Sequence, residues 1–213
     1  MDTIKSKYHE TLAATVIKNL EKRQMEGYYC PTVEDAEKLA FSFLKDGQTV
    51  SFGGSMTLEE TGMLTALRHD PSIHLIDRST AKTPDETKKM YHYALSSDVY
   101  FMSTNAITTG GELVNIDGTG NRVAALIYGP ETVVILAGMN KIAANVDEAL
   151  SRVHNVATAQ NCIRLDKKTP CAITGACADC LSPDCICNQV VITRRSGIKG
   201  RIKVLLIGES FGY

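Results

Sequence analysis

Apolar residues recur every fourth position from Ile4 through Tyr8, Leu12 and Val16 to Leu20, with Ala13 and Ile17 beside them. Lys, Glu and Asn fill the other side, so the spacing predicts one long amphipathic helix. The segment from Gly27 to Pro31 interrupts it. Thr32 and Asp35 then predict the cap of a second helix that carries Ala36, Leu39, Ala40, Phe43 and Leu44 inward and stops at Asp46-Gly47. Both helices precede any expected strand. Residues 1–46 are therefore expected as a helical segment, and the pattern suits an arm packed on the main domain and a dimer contact equally.

From Gln48 the pattern changes to short apolar runs alternating with amphipathic segments. Strand-like runs fall at residues 49–52, 73–76, 99–102, 113–116, 132–136, 190–193 and 203–207, and helical patterns at 58–68, 85–96, 122–128 and 140–156. Strands that alternate with helices of this length predict an α/β domain over residues 47–213. Its sheet should be open and mostly parallel, with helices on both faces. In such sheets a ligand lies beyond the carboxyl ends of the strands.

Two glycine-rich stretches sit at such ends. Val50-Ser51-Phe52 runs into Gly53-Gly54-Ser55, and Thr57 with Glu60 has the spacing of a helix-capping box. A strand, a glycine turn and a helix start together direct free backbone N–H groups at one spot, which suits an anion; a plain turn is the simpler alternative. The second stretch, residues 103–122, offers Asn105 and Thr108 as neutral hydrogen-bonding groups and Gly110-Gly111 as a second flexible turn. Glu112, Asn115 and Asp117 follow closely. Asp117-Gly118 suits a structural turn, whereas Glu112 suits general-base or nucleophile chemistry as well as a structural role. Asn121-Arg122 ends the stretch, and the Arg122 guanidinium is the candidate bidentate clamp on a carboxylate or phosphate.

Composition narrows the classes. The chain has 213 residues, and its net charge of −1 gives no global field favouring nucleic acid or an anionic membrane. A polar N-terminus and the lack of any long apolar stretch predict a cytoplasmic protein that neither enters nor crosses a membrane. The five histidines are scattered and read as surface or helix-face residues. Arg194, Arg195, Lys199, Arg201 and Lys203 read as the solvated tip of a hairpin between the last two strands.

Seven cysteines in a reducing compartment argue against a disulfide framework. Five of them, Cys171, Cys177, Cys180, Cys185 and Cys187, crowd one short loop, and Cys162 lies just upstream. Thiolates so spaced suit zinc or an iron–sulfur cluster, although the spacing is neither that of a zinc ribbon nor of a ferredoxin; buried or redox-active thiols are the alternative.

The segments FGGSMTLEETGM, STNAITTGGELVNIDGTGNRVAALIYGP, GMNKI and PCAITGACADCLSPDCICN occur in that order. Together they resemble the LUD-domain family of lactate utilization proteins, in its short stand-alone form, from about Gly27 to the C-terminus. The resemblance implies a NagB/RpiA/CoA-transferase-like fold with anion-binding glycine turns at the strand ends. To Asn105, Asn121 and Arg122, read as ligand-binding from the residues themselves, it adds Gly53, Gly54, Ser55, Gly110 and Gly111. It assigns catalysis to Glu112 and Lys141, and metal binding within the cysteine-rich loop 162–188 to Cys171, Cys177, Cys180 and Cys187. Cys185 departs from the family pattern.

The implied role is binding of a small anionic metabolite, a carboxylate, CoA ester or phosphorylated ligand, in the oxidation of L-lactate to pyruvate. Iron–sulfur proteins of a lactate oxidation system are then the expected partners, with self-association into a homo-oligomer. A non-catalytic subunit holding an iron–sulfur cluster or zinc and a metabolite-sensing regulator are the competing roles. The neutral chain without a helix-turn-helix signal argues against the last.

Overall fold

The computed structural model describes residues 3–213. Six parallel strands form the main sheet in the order β1-β10-β7-β4-β2-β3. They are β1 (Glu26–Cys30), β2 (Thr49–Phe52), β3 (His74–Ile76), β4 (Val99–Met102), β7 (Thr132–Gly138) and β10 (Ile202–Ile207). A smaller mixed sheet in the order β8-β5-β6-β9 stands beside it, built from β5 (Ala106–Thr108), β6 (Leu113–Asp117), β8 (Ile142–Ala143) and β9 (Gln189–Thr193).

Alternation along the strands divides the core. Val133, Ile135 and Ala137 of β7 and Ile202, Val204 and Leu206 of β10 face one side. There they pack against α1 (Thr3–Lys22) and α6 (Asn121–Ile127). Val134, Leu136, Leu205 and Ile207 face the other side, under α2 (Val33–Phe41), α3 (Met56–Glu60) and α4 (Met63–His69). A parallel sheet apolar on both faces requires this double cover. α5 (Pro84–Ala94) connects β3 to β4. The small sheet lies under α7 (Val146–Arg152), which continues through a π-helical stretch at Val153–Thr158 into α8 (Ala159–Arg164).

Several expectations change. The two N-terminal helices do not precede all strands, because β1 lies between them and pairs in parallel with β10. Its sequence, EGYYC, shows no apolar alternation, and Glu26 is held instead by Lys203 and the Tyr28 hydroxyl. The expected helix over residues 58–68 is two helices broken at Gly62, whose φ is +73°. The first is capped by Ser55, not Thr57, and Glu60 accepts from the Gly212 N–H. The pattern at 140–156 is not one helix: a short 3-10 turn, Met139–Lys141, and the strand β8 come first, and the α-helix starts only at Val146. The Thr32 cap on Asp35 forms as expected, but the helix ends at Phe41, before Asp46-Gly47.

His9 is buried, with Nδ1 2.7 Å from the Gly208 carbonyl oxygen, not at the surface. β9 and β10 belong to different sheets, so they do not form a hairpin with a charged tip. Arg201 is likewise buried, donating to the Ala125, Leu126 and Pro130 carbonyls at 2.7–2.9 Å around the end of α6.

Candidate functional site

The carboxyl ends of β2, β3, β4 and β7 open into one cavity of about 460 Å³. From β2 come Gly54 and Ser55, from the turn after β3 comes Arg78, from β4 come Ser103, Thr104 and Asn105, and after β7 comes Lys141. The end of β6 and the start of α6 add Asp117, Asn121 and Arg122. Ala157, Thr158, Asn161 and Arg164 of the π-helical stretch and α8, the loop around Cys185, and Tyr213 close the remaining side. Single π-helical insertions of this kind cluster at functional sites because they push side chains out of the regular helical register.

Arg122 is the internal brace of the cavity. Nη1 donates to the Asn115 side chain at 2.6 Å and the Ser103 carbonyl at 3.1 Å, and Nη2 to the Asn105 side chain and the Ile116 carbonyl, both at 3.0 Å. Nε lies 3.2 Å from the Asp117 carboxylate. All five guanidinium donors are thereby committed to the protein. The expected bidentate clamp on a ligand is therefore not its geometry; Arg122 instead orients Asn105, Asn115 and Asp117, and Asp117 also accepts from the Gly120 N–H at 2.9 Å.

Lys141 is different. The residue is 4% exposed and its Nζ donates to the Ser103 hydroxyl at 3.0 Å. Burial, followed by the nearby Arg152 and Arg122 charges, lowers its ammonium to about 7, with Glu60 working weakly the other way. Arg152 is anchored by the Asn140 and Asn105 carbonyls at 3.0 and 2.7 Å, so it cannot turn away from the amine.

Of the five cationic side chains lining the cavity, Arg122 pairs with Asp117, and Lys167 lies 3.8 Å from Asp184. Arg78, Lys141 and Arg164 have no carboxylate within ion-pair distance among the described residues. Arg78 stacks over Tyr91, 5.6 Å from the ring centroid, and donates to its hydroxyl at 3.2 Å. Its guanidinium comes so close to Gly54 that a Cβ there would collide with Nη2.

The structure places Glu112, Gly110 and Gly111 elsewhere. None lines this cavity. Glu112 is bound by Arg23 and the Thr108 hydroxyl. Burial raises its carboxyl, but the hydrogen bonds from Thr108 and its own backbone and the Arg23 and Arg194 charges more than offset this and leave it below its ordinary value. Asn19 donates to the Thr109 carbonyl at 2.9 Å and Arg23 to that of Gly110 at 2.6 Å. Gly111 has a φ of +89°, and a Cβ on it would meet the backbone of Asn19 and Leu20 at 2.9 Å. This glycine turn is the seat of α1. Gly53 sits just behind the cavity wall, its N–H donating to Phe101.

The cysteine quartet does not converge. The buried Cys171 lies against Thr169 at 3.2 Å and beside Cys162, whereas Cys177 faces His154 at 3.7 Å. The Cys187 thiol is pushed up to about 11 by burial, and Cys185 and Cys162 add to this. Cys162 thus neighbours Cys171 and Cys185, and Cys187 neighbours Cys185 and Cys162, a grouping different from the expected quartet. Among the described residues no three His, Cys, Asp or Glu side chains assemble into a metal-holding group. Cys171, Cys177, Cys180 and Cys187 consequently do not fit a four-thiolate site for zinc or an iron–sulfur cluster.

Sequence reasoning missed Arg78, Ser103, Thr158, Asn161 and Arg164. Ser103 directly follows a strand-like run and Arg78 comes two residues after one, so both were open to discovery by that rule; Thr158, Asn161 and Arg164 arrive only through the fold.

These features define an α/β protein with a cationic cavity at the carboxyl ends of a parallel sheet. The chain matches the LUD domain over residues 13–207, and it belongs to that family. No curated protein matches it in sequence. It is similar in structure to a DUF162 family protein from Deinococcus radiodurans, with a TM-score of 0.53 at 11% identity, covering 93% of this chain and 98% of that one. Partial superpositions exist on ribose 5-phosphate isomerase A from Methanocaldococcus jannaschii and on eIF2B delta from Chaetomium thermophilum. The first has a TM-score of 0.33 at 19% identity over 53% and 54% of the two chains. The second has a TM-score of 0.34 at 20% identity over 52% and 48%. Among the described residues, no helix is long and apolar enough to cross a membrane.

Proposed function

We propose that this LUD-domain protein binds a small carboxylate- or phosphate-bearing metabolite in the cavity at the carboxyl ends of β2, β4 and β7, within the oxidation of L-lactate to pyruvate. One observation carries the reading: Arg78, Lys141 and Arg164 line the cavity without carboxylate partners, and Lys141 is buried there. A buried cation without a counter-charge is costly, and an anionic ligand supplies the missing charge. The cavity volume is in the range of small-molecule sites. Iron–sulfur proteins of a lactate oxidation system remain the partners this role calls for. Zinc or an iron–sulfur cluster at Cys171, Cys177, Cys180 and Cys187 forms no part of this proposal, since Cys171 lies against Thr169 and Cys177 against His154.

Ligand-induced thermal stabilisation tests the reading. Lactate, pyruvate, inorganic phosphate, a sugar phosphate and acetyl-CoA are the probes. A ligand at a hundred times its Kd should stabilise the fold by about 2.7 kcal/mol. Arg78→Met and Lys141→Met should each abolish that stabilisation. If no probe moves the melting temperature, the cavity is not an anion site.

A further inference from the structure

The Lys141 amine has more chemistry available than charge pairing. Nζ carries three donors when protonated, and among the described residues its one hydrogen bond is to Ser103 Oγ at 3.0 Å. It is nine-tenths buried, lies on the cavity wall, and is flanked by two guanidinium groups, Arg122 and Arg152, both tied to other partners. Fixed positive charge beside a desolvated amine favours the neutral form, which has a free lone pair. Arg78, with only its Tyr91 bond, remains to hold the ligand's anionic group.

We infer that Lys141 forms an imine with the carbonyl carbon of a small anionic ligand, and that Ser103 relays the proton. The inference deepens the reading of the cavity as an anion site and rests on it. In the step, the Nζ lone pair attacks the carbonyl carbon and forms a C–N bond, and the carbonyl π electrons move to oxygen. The nitrogen gives one of its two protons to that oxygen through the Ser103 hydroxyl, which receives a proton from Nζ as it passes one on, and a carbinolamine results. The nitrogen then loses its second proton to the same oxygen as the C–O bond breaks, water leaves, and a C=N bond remains. Atoms and charge balance without an oxidant or reductant. The depressed ammonium, at about 7, makes an appreciable fraction of free amine available at neutral pH. Ordinary surface lysines near 10.4 remain protonated under the same conditions.

The ligand class is a small anion that also carries a carbonyl group, met by 2-oxo acids and by phosphorylated aldoses alike. Intact protein is incubated with sodium cyanoborohydride and either pyruvate or glyceraldehyde 3-phosphate, then mapped by peptide mass spectrometry. The expected result is one reduced adduct on the Lys141 peptide in one of the two arms, and the arm that reacts names the source. Lys141→Arg keeps the charge and should give no adduct there. Ser103→Ala should keep the adduct but slow its formation by roughly a hundredfold, the scale of a positioned proton relay. The rate in the wild-type chain should climb with pH through about 7. A probe that raises the melting temperature yet gives no adduct overturns the imine and leaves the anion site standing. Equal labelling of the wild type and Lys141→Arg overturns it too. Absence of both stabilisation and adduct for every probe overturns the anion site itself.

Discussion

The Arg122 guanidinium donates to the Asn115 side-chain oxygen at 2.6 Å, while the Asn115 amide nitrogen is buried without a partner. The orientation is dictated by the arginine, since turning the amide would set two donors against each other. One bond at the centre of the site therefore overrides the loss of another, a compromise that ordinary core packing avoids.

Arg122→Lys should expose how much depends on that brace. A lysine cannot reach the Asp117 carboxylate and the Asn105, Asn115, Ser103 and Ile116 oxygens together. Breaking a buried pair and orphaning its partners costs about 3–5 kcal/mol. Urea denaturation is the measurement, and ligand-induced stabilisation should vanish in the same variant because Asn105 and Asp117 lose their positions.

Lys141 should make stability depend on pH in a defined direction. Burial lowers its ammonium to about 7 in the folded chain, against an ordinary value of 10.5. Between those values the unfolded chain holds the extra proton, so stability rises with pH across the window. Below about 7 the charge is buried and the full penalty applies. Relative to Lys141→Met, the ligand-free wild type should gain roughly 1.4 kcal/mol per pH unit from about pH 7 upward. Parallel melting curves at pH 7 and pH 9 read the difference. A flat difference would place the amine in water.

Glu112→Gln and Gly111→Ala should act on the seat of α1 and leave the cavity alone. The first weakens the Arg23 and Thr108 contacts and should cost about 1–3 kcal/mol. The second forces a Cβ into the backbone of Asn19 and Leu20 at a φ of +89° and should cost at least as much. Both should retain the ligand-induced thermal shift of the wild type. Loss of that shift in Glu112→Gln, with stability intact, would return Glu112 to the ligand site.

Thiol alkylation should separate the cysteines by neighbour and burial. Cys30 is buried, and burial with the Asp35 charge pushes it up to about 11; Cys187 is held near the same value. Cys177 and Cys180 are half-buried in the loop. Iodoacetamide at pH 8 should label Cys177 and Cys180 first and Cys30 last, followed by peptide mass spectrometry. Uniform protection of Cys171, Cys177, Cys180 and Cys187 together would show that the quartet does converge on a metal.

Much of the sheet was legible along the chain. β4 is a continuous apolar run, β7 becomes one after Thr132 and β10 after Lys203, and a run buried on both faces is conspicuous in any single sequence. β1, β5 and β8 were not legible. They are two to five residues long, and β1 carries Glu26, Gly27 and two tyrosines in place of an apolar alternation. Such strands exist because neighbours offer hydrogen bonds, which is a property of the assembled sheet. The N-terminal half of α1 shows the reverse case: Tyr8 belongs to the apolar stripe but is exposed, and His9 takes the buried place.

By itself, then, the sequence determined that there is a parallel α/β sheet and where its strand ends, with Gly54, Ser55 and Asn105, would gather. Those features follow from local periodicity and from glycine and capping chemistry, which act over a few residues. Tertiary structure decided which charges are free. Glu112 meets Arg23 across 89 positions and Lys141 meets Ser103 across 38, while Cys177 meets His154 across 23. Whether a charged side chain is braced, as Arg122 is, or left open to a ligand, as Lys141 is, depends on partners that only folding brings within hydrogen-bond reach.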